Sequence, residues 1–195
     1  MGDPPASLKG QLLQSRLEYV RDRHGPAAVR RVLEALPGAE RGRLQGLTRE
    51  AWYPFRTLVL LDRAIVDTVG GGDERLFFDL GRASARHRTE WLGEHAPLVS
   101  VHAFLSRMAE EHRRFHTFGR AEYRRLGFRH GLISFFEFPE VDPNFCISGR
   151  GYISAAVEQL SGRPPRVEEL ACQCNGEPSC SYDVRWEEPA APPVR

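Results

Sequence analysis

The sequence predicts an α+β domain in which N-terminal helices pack on an antiparallel sheet, and three observations carry that prediction. Apolar residues recur at helical spacing over the first two thirds of the 195-residue chain. From Gly119 onward the pattern changes to short runs rich in aromatic and β-branched residues. The resulting order is helices, two strands, one helix and two strands, which places the helices against a hairpin-built sheet.

The first helix is predicted over 8–23, where Leu8, Leu12, Leu13, Leu17 and Val20 form one stripe. His24-Gly25-Pro26 breaks the chain, and a second helix over 26–36 has Pro26 in its first turn. Thr48-Arg49-Glu50 starts the next segment, and the strongly apolar stretch 54–69 reads as a buried helix. Gly70-Gly71-Gly72 ends it, and Asp73 can cap a helix over 74–93. A further helix over 99–115 turns Val101, Phe104, Leu105 and Met108 inward. Strands are predicted at 121–126 and 129–138, a loop at 139–143, and a helix at 144–160 closed by Ser161-Gly162. Strands at 166–172 and 181–186 follow, joined through Asn175-Gly176. Residues 1–50 form a helical N-terminal extension, 51–187 the main domain, and 188–195 a disordered Pro- and Ala-rich tail.

Composition narrows the function classes. A net charge of +1 offers no strong field for nucleic acid or an acidic membrane. No apolar run approaches a membrane span, and the N-terminus lacks a secretory layout, so a cytoplasmic protein is expected. In that compartment thiols stay reduced, and clustered cysteines point to metal before disulfide.

The cysteines are Cys146, Cys172, Cys174 and Cys180. Cys172 and Cys180 bracket the final hairpin turn, and Cys146 lies at a helix start, where a thiolate is favoured. A tetrahedral zinc site needs about four such ligands. Glu169, three residues before Cys172, and Cys174 compete for the fourth position. Buried free cysteines also serve as small apolar side chains, and spacing alone leaves the two readings open.

The segment Cys146-Ile-Ser-Gly-Arg-Gly-Tyr152, followed by Gly162-Arg163-Pro164, Glu169-Leu-Ala-Cys172 and Gly176 before Cys180, resembles the 4-vinyl reductase domain. It is most similar to the version in the input domains of aromatic-sensing sigma-54-dependent activators. The close match spans 140–186. The resemblance implies zinc held by Cys146, Glu169, Cys172 and Cys180, tying the last hairpin to a helix. It also implies the NO-signalling and Golgi-transport ligand-binding fold, shared with the TRAPP small subunits. The phenol sensors of that family use a His and a Trp on the effector. Here the strand region has phenylalanines and no Trp, so an apolar or aromatic ligand is expected rather than phenol.

Phe128, Phe135, Tyr152 and His102 are the expected ligand contacts. His112 and His116 share a helix face, but Glu110, Glu111, Arg113 and Arg114 around them suggest a solvated surface. Trp52-Tyr53-Pro54-Phe55 reads as core packing where a loop enters a helix. No Ser-His-Asp signature, Gly-x-Ser-x-Gly, P-loop or nicotinamide fingerprint is present. The expectation is a non-enzymatic, zinc-containing small-molecule sensor, a homodimer, with output through a protein partner. The alternatives are a TRAPP-like dimeric scaffold and a tetrapyrrole-pathway reductase.

Overall fold

A computed structural model describes residues 6–92, 100–138 and 141–187; the side chains of 87–92 are outside that description. The expected tail at 188–195 and part of the expected loop at 139–143 lie outside the described residues.

The chain begins with β1 (Ser7–Lys9), which runs into α1 (Gly10–His24). Gly25, at φ 78°, turns the chain into α2 (Pro26–Ala35), with Pro26 in its first turn. Then come α3 (Gly38–Gln45), β2 (Trp52–Pro54) and α4 (Phe55–Val69). Asp73 accepts from the Arg75 backbone N–H at 3.0 Å and caps α5 (Arg75–Leu92). Ser100 caps α6 (Val101–Glu110), and α7 (His112–Phe115) follows after a break at Glu111. β3 (Arg120–Gly127) and β4 (His130–Phe136) form a hairpin. Asp142 caps α8 (Pro143–Ser161), and Gly162 ends it in the left-handed conformation. β5 (Arg166–Ala171) and β6 (Ser179–Arg185) complete the order.

The strand order β3-β4-β6-β5 is antiparallel throughout. Register places Tyr123, Ile133 and Tyr182 in one row and Ala121, Phe135 and Cys180 in the next. These rows share the face that meets the helices. Two apolar clusters result. One gathers α1 to α4 around Leu13, Phe55, Leu58 and Leu61. The other joins the inner sheet face to α6 and α8 around Leu105, Ile133, Ile153 and Val184.

Several features differ from the sequence expectation. α3 was not predicted, and Trp52 of the segment expected to pack in the core is exposed, while Tyr53 and Phe55 are buried. β1 and β2 pair, with Leu8 opposite Tyr53, so Leu8 leaves the predicted helix. Strands of three residues are too short to display an alternating pattern. The helix predicted over 99–115 divides at Glu111, whose φ −86° and ψ 3° leave the helical ladder. Where α5 crosses α8, two glycines let the backbones touch. An added Cβ on Gly81 would lie 1.8 Å from the Ser148 carbonyl oxygen, and one on Gly151 would lie 2.0 Å from that of Phe78. No described helix is long and apolar enough to cross a membrane.

Candidate ligand cavity and thiol cluster

A cavity of about 680 Å³ lies between the two apolar clusters. α1, α5 and α8 form one side, and α6, α7 and the sheet form the other. Phe135, Phe138, Phe145 and Ile153 supply an apolar wall. Phe138 packs edge-on to Phe145 at 5.9 Å between ring centroids. Lys9, sitting 4.3 Å above the Trp52 ring, lies at the wall with Arg49, Arg113 and Arg114.

Both His112 and His116 line this cavity, and their rings stack at 4.4 Å. The break at Glu111 turns them inward, which corrects the expectation of a solvated face. His112 is 6% exposed, and burial lowers its pKa below the usual histidine value, so the ring is held neutral. Its Nε2–H donates to the Phe118 carbonyl at 3.0 Å. The His116 Nδ1–H donates to the His112 carbonyl at 3.3 Å, which puts the ring lone pair on Nε2.

Of the four expected ligand contacts, Phe135 and Tyr152 line the cavity, while His102 and Phe128 do not. Phe128 sits at the tip of the β3–β4 hairpin and is 70% exposed, with Arg129 over its ring. His102 faces the far end of the sheet. It accepts from the Tyr123 hydroxyl, donates to the Phe128 carbonyl at 2.8 Å and stacks edge-on with Trp186. That imidazole is a structural pin between α6 and the hairpin.

The opposite end of the cavity is polar, and the sequence reading missed it. Arg16 and Asp62 are buried and paired at 2.9 Å, joined by Ser15, Ser84 and Ser148. No local pattern marks this network in the sequence, because the partners of Arg16 are spread over three other helices.

Cys146 on α8, Cys172 after β5 and Cys180 on β6 converge with Glu169. Their ligand-type atoms lie within 4.8 Å of one another, and Cys174 stands outside the group. Cys146 Sγ is 3.5 Å from Cys180 Sγ and 3.7 Å from Cys172 Sγ. The hydrogen bond from Cys146, with the Gln173 N–H at 3.3 Å, draws the Cys180 thiol down to about 6, while burial pushes Cys172 up to about 11. Cys146 and Cys180 also form part of the cavity wall.

No family model matches the sequence, and no curated protein does. Solved structures match along more than nine tenths of the chain. The H-NOX protein from S. oneidensis in the Fe(II)NO ligation state superposes with a TM-score of 0.71 at 11% identity, covering 91% of this chain and 98% of that one. An oxygen-binding H-NOX domain related to soluble guanylate cyclases, in its oxygen complex, gives 0.70 at 15% identity, covering 96% and 100%. The chain has the H-NOX fold. A third structure, from work on modulating heme redox potential through protein-induced porphyrin distortion, gives 0.69 at 15% identity over 92% and 100%.

These neighbours correct two expectations. The 4-vinyl reductase and TRAPP-like kinship rested on spacings within 140–186, whereas the H-NOX likeness embraces the order and packing of nearly every element. The zinc cofactor expected from the same resemblance is corrected with it. The cofactor in the neighbours' descriptions is heme, and the proximity of thiols and a carboxylate demonstrates neither a bound ion nor its identity. The zinc-tied hairpin is likewise replaced by sulfur contacts and the Tyr182 hydroxyl, which donates to the Cys146 carbonyl at 3.1 Å.

Proposed function

We propose that this protein is a non-enzymatic small-molecule-sensing domain whose ligand occupies the cavity between α1, α5 and α8 and the sheet side, with output through a protein partner. The observation that carries this reading is the cavity itself. At about 680 Å³ it is within the usual range for small-molecule sites, and it is mostly apolar with polar groups at its ends.

Heme is the first ligand to test, because solved neighbours of this fold are described with it. Groups on the cavity wall fit it. The His116 Nδ1–H is committed to a backbone carbonyl, the arrangement that orients an imidazole for ligation through Nε2. His112, whose pKa burial lowers, supplies a second imidazole beside it. Arg113, which donates to the Thr117 carbonyl, and Arg114, beside Glu111, also lie on the cavity wall. Bound iron would supply a coordination position for a diatomic gas. Titration of the purified protein with hemin is expected to give a saturable Soret shift that His116→Ala weakens at least tenfold. A wild-type spectrum equal to that of free hemin rejects heme.

The second reading is an apolar or aromatic organic ligand, favoured by the Phe135, Phe138 and Phe145 wall. Separately, we assign Cys146, Glu169, Cys172 and Cys180 as a ligand set for a soft cation beside the cavity. Cys172→Ser is expected to lower the metal content of the purified protein by at least half; unchanged content rejects this assignment.

A further inference from the structure

We propose that the polar end of the cavity selects a ligand carrying an uncharged hydrogen-bond acceptor, such as a ketone, ester or phenol oxygen, and that the Ser148 hydroxyl reads it. This rests on the reading of the cavity as the site of an apolar or aromatic organic ligand.

The assignment follows from a count of protons. Ser15, Arg16, Ser84 and Ser148 line this end of the cavity. The Arg16 Nε–H donates to Asp62 Oδ1 at 2.9 Å, and Nη2 donates to Asp62 Oδ2 at 3.4 Å. Nη1 donates to the Leu80 carbonyl at 2.6 Å and to Ser84 Oγ, and Nη2 also donates to Ser148 Oγ at 2.6 Å. All five guanidinium protons are thereby used. Ser15 donates to the Leu12 carbonyl at 2.8 Å, so in its 2.6 Å contact with Ser84 it is Ser84 that donates.

Ser148 is left. It is 3% exposed, it accepts from Arg16, and its own O–H has no acceptor among the described residues. A buried donor without an acceptor is unfavourable, and accepting from a cation makes this hydroxyl a stronger donor. A ligand oxygen at this wall completes the network.

Charge sets the class of that oxygen. Asp62 already answers the Arg16 charge, so a carboxylate would surrender its hydration for a single hydroxyl. A neutral acceptor loses far less. The rest of such a ligand faces Phe135, Phe145 and Ile153.

The test uses three probes built on a two-ring carbon frame: 1-tetralone, tetralin, which has a methylene in place of the carbonyl, and 1-naphthoate. Their dissociation constants are measured by ligand-observed NMR on the full chain, with circular dichroism as the check of folding. The wild type is expected to bind 1-tetralone about tenfold more tightly than tetralin, and more tightly than 1-naphthoate. Ser148→Ala should abolish the preference for the ketone and leave tetralin binding unchanged, while Ser148→Thr should retain it. Equal binding of tetralin and 1-tetralone by the wild type overturns the role of Ser148 and leaves the cavity reading standing, whether or not the alanine variant folds. Tighter binding of 1-naphthoate overturns the uncharged class. Binding of none of the three overturns the proposal together with the aromatic-ligand reading beneath it.

Discussion

Arg16 ties three other helices to α1, through Asp62 of α4, Leu80 and Ser84 of α5, and Ser148 of α8. Both members of its ion pair are almost fully buried, with side chains 3% and 6% exposed. Removing one partner leaves a buried charge unanswered. Arg16→Met is therefore expected to destabilise the fold by about 3–5 kcal/mol in urea unfolding, and Arg16→Met with Asp62→Leu to recover at least half of that. A double variant no more stable than the single one shows that the hydroxyl and carbonyl contacts, not the charge pair, matter most. None of this was legible in the sequence, where Arg16 stands among the polar residues between Leu13 and Leu17. The nearness of Cys172 and Cys180 was legible, because they bracket a single hairpin; spacing left Glu169 and Cys174 as competing neighbours, and only the structure sets Glu169 and Cys146 of α8 beside them. Spacing constrains distance along the chain and neither the full membership of such a group nor its occupancy.

Among the elements, the crossing of α5 and α8 is set by residues that have no side chain. Gly81→Ala and Gly151→Ala would each drive a methyl into the opposing backbone and should each cost at least about 1–3 kcal/mol. Gly42, inside α3 with nothing within 4 Å of an added Cβ, is the control. Gly42→Ala should stabilise by about 0.5–1 kcal/mol through helix propensity alone. Equal effects at the three sites in thermal unfolding would show that the crossing tolerates separation. The helices and the four-stranded sheet were largely readable, because their periodicities persist over six or more residues. α6 and α7 were not separable, since nothing near Glu111 resembles a Gly or Pro breaker. Division there is what turns His112 and His116 into the cavity.

For the whole molecule, the cavity exists because the α1–α4 cluster and the sheet cluster meet incompletely. A ligand held there contacts both clusters and favours the folded state by mass action. In the hemin titration, saturation near 100 times the dissociation constant is expected to add about 2.7 kcal/mol to stability. The midpoint of thermal unfolding should rise along with the Soret shift; a spectral change without it places the binding outside the fold. The amino-acid sequence by itself determined the α+β class and the run of most elements, because these follow from local periodicity. Only the tertiary structure decided that His112 and His116 face inward, that His102 and Phe128 stand outside the cavity, and that Arg16, Asp62 and Ser148 share one network. Those outcomes depend on how helices far apart in the chain pack against one another, and no local pattern encodes the space left between them.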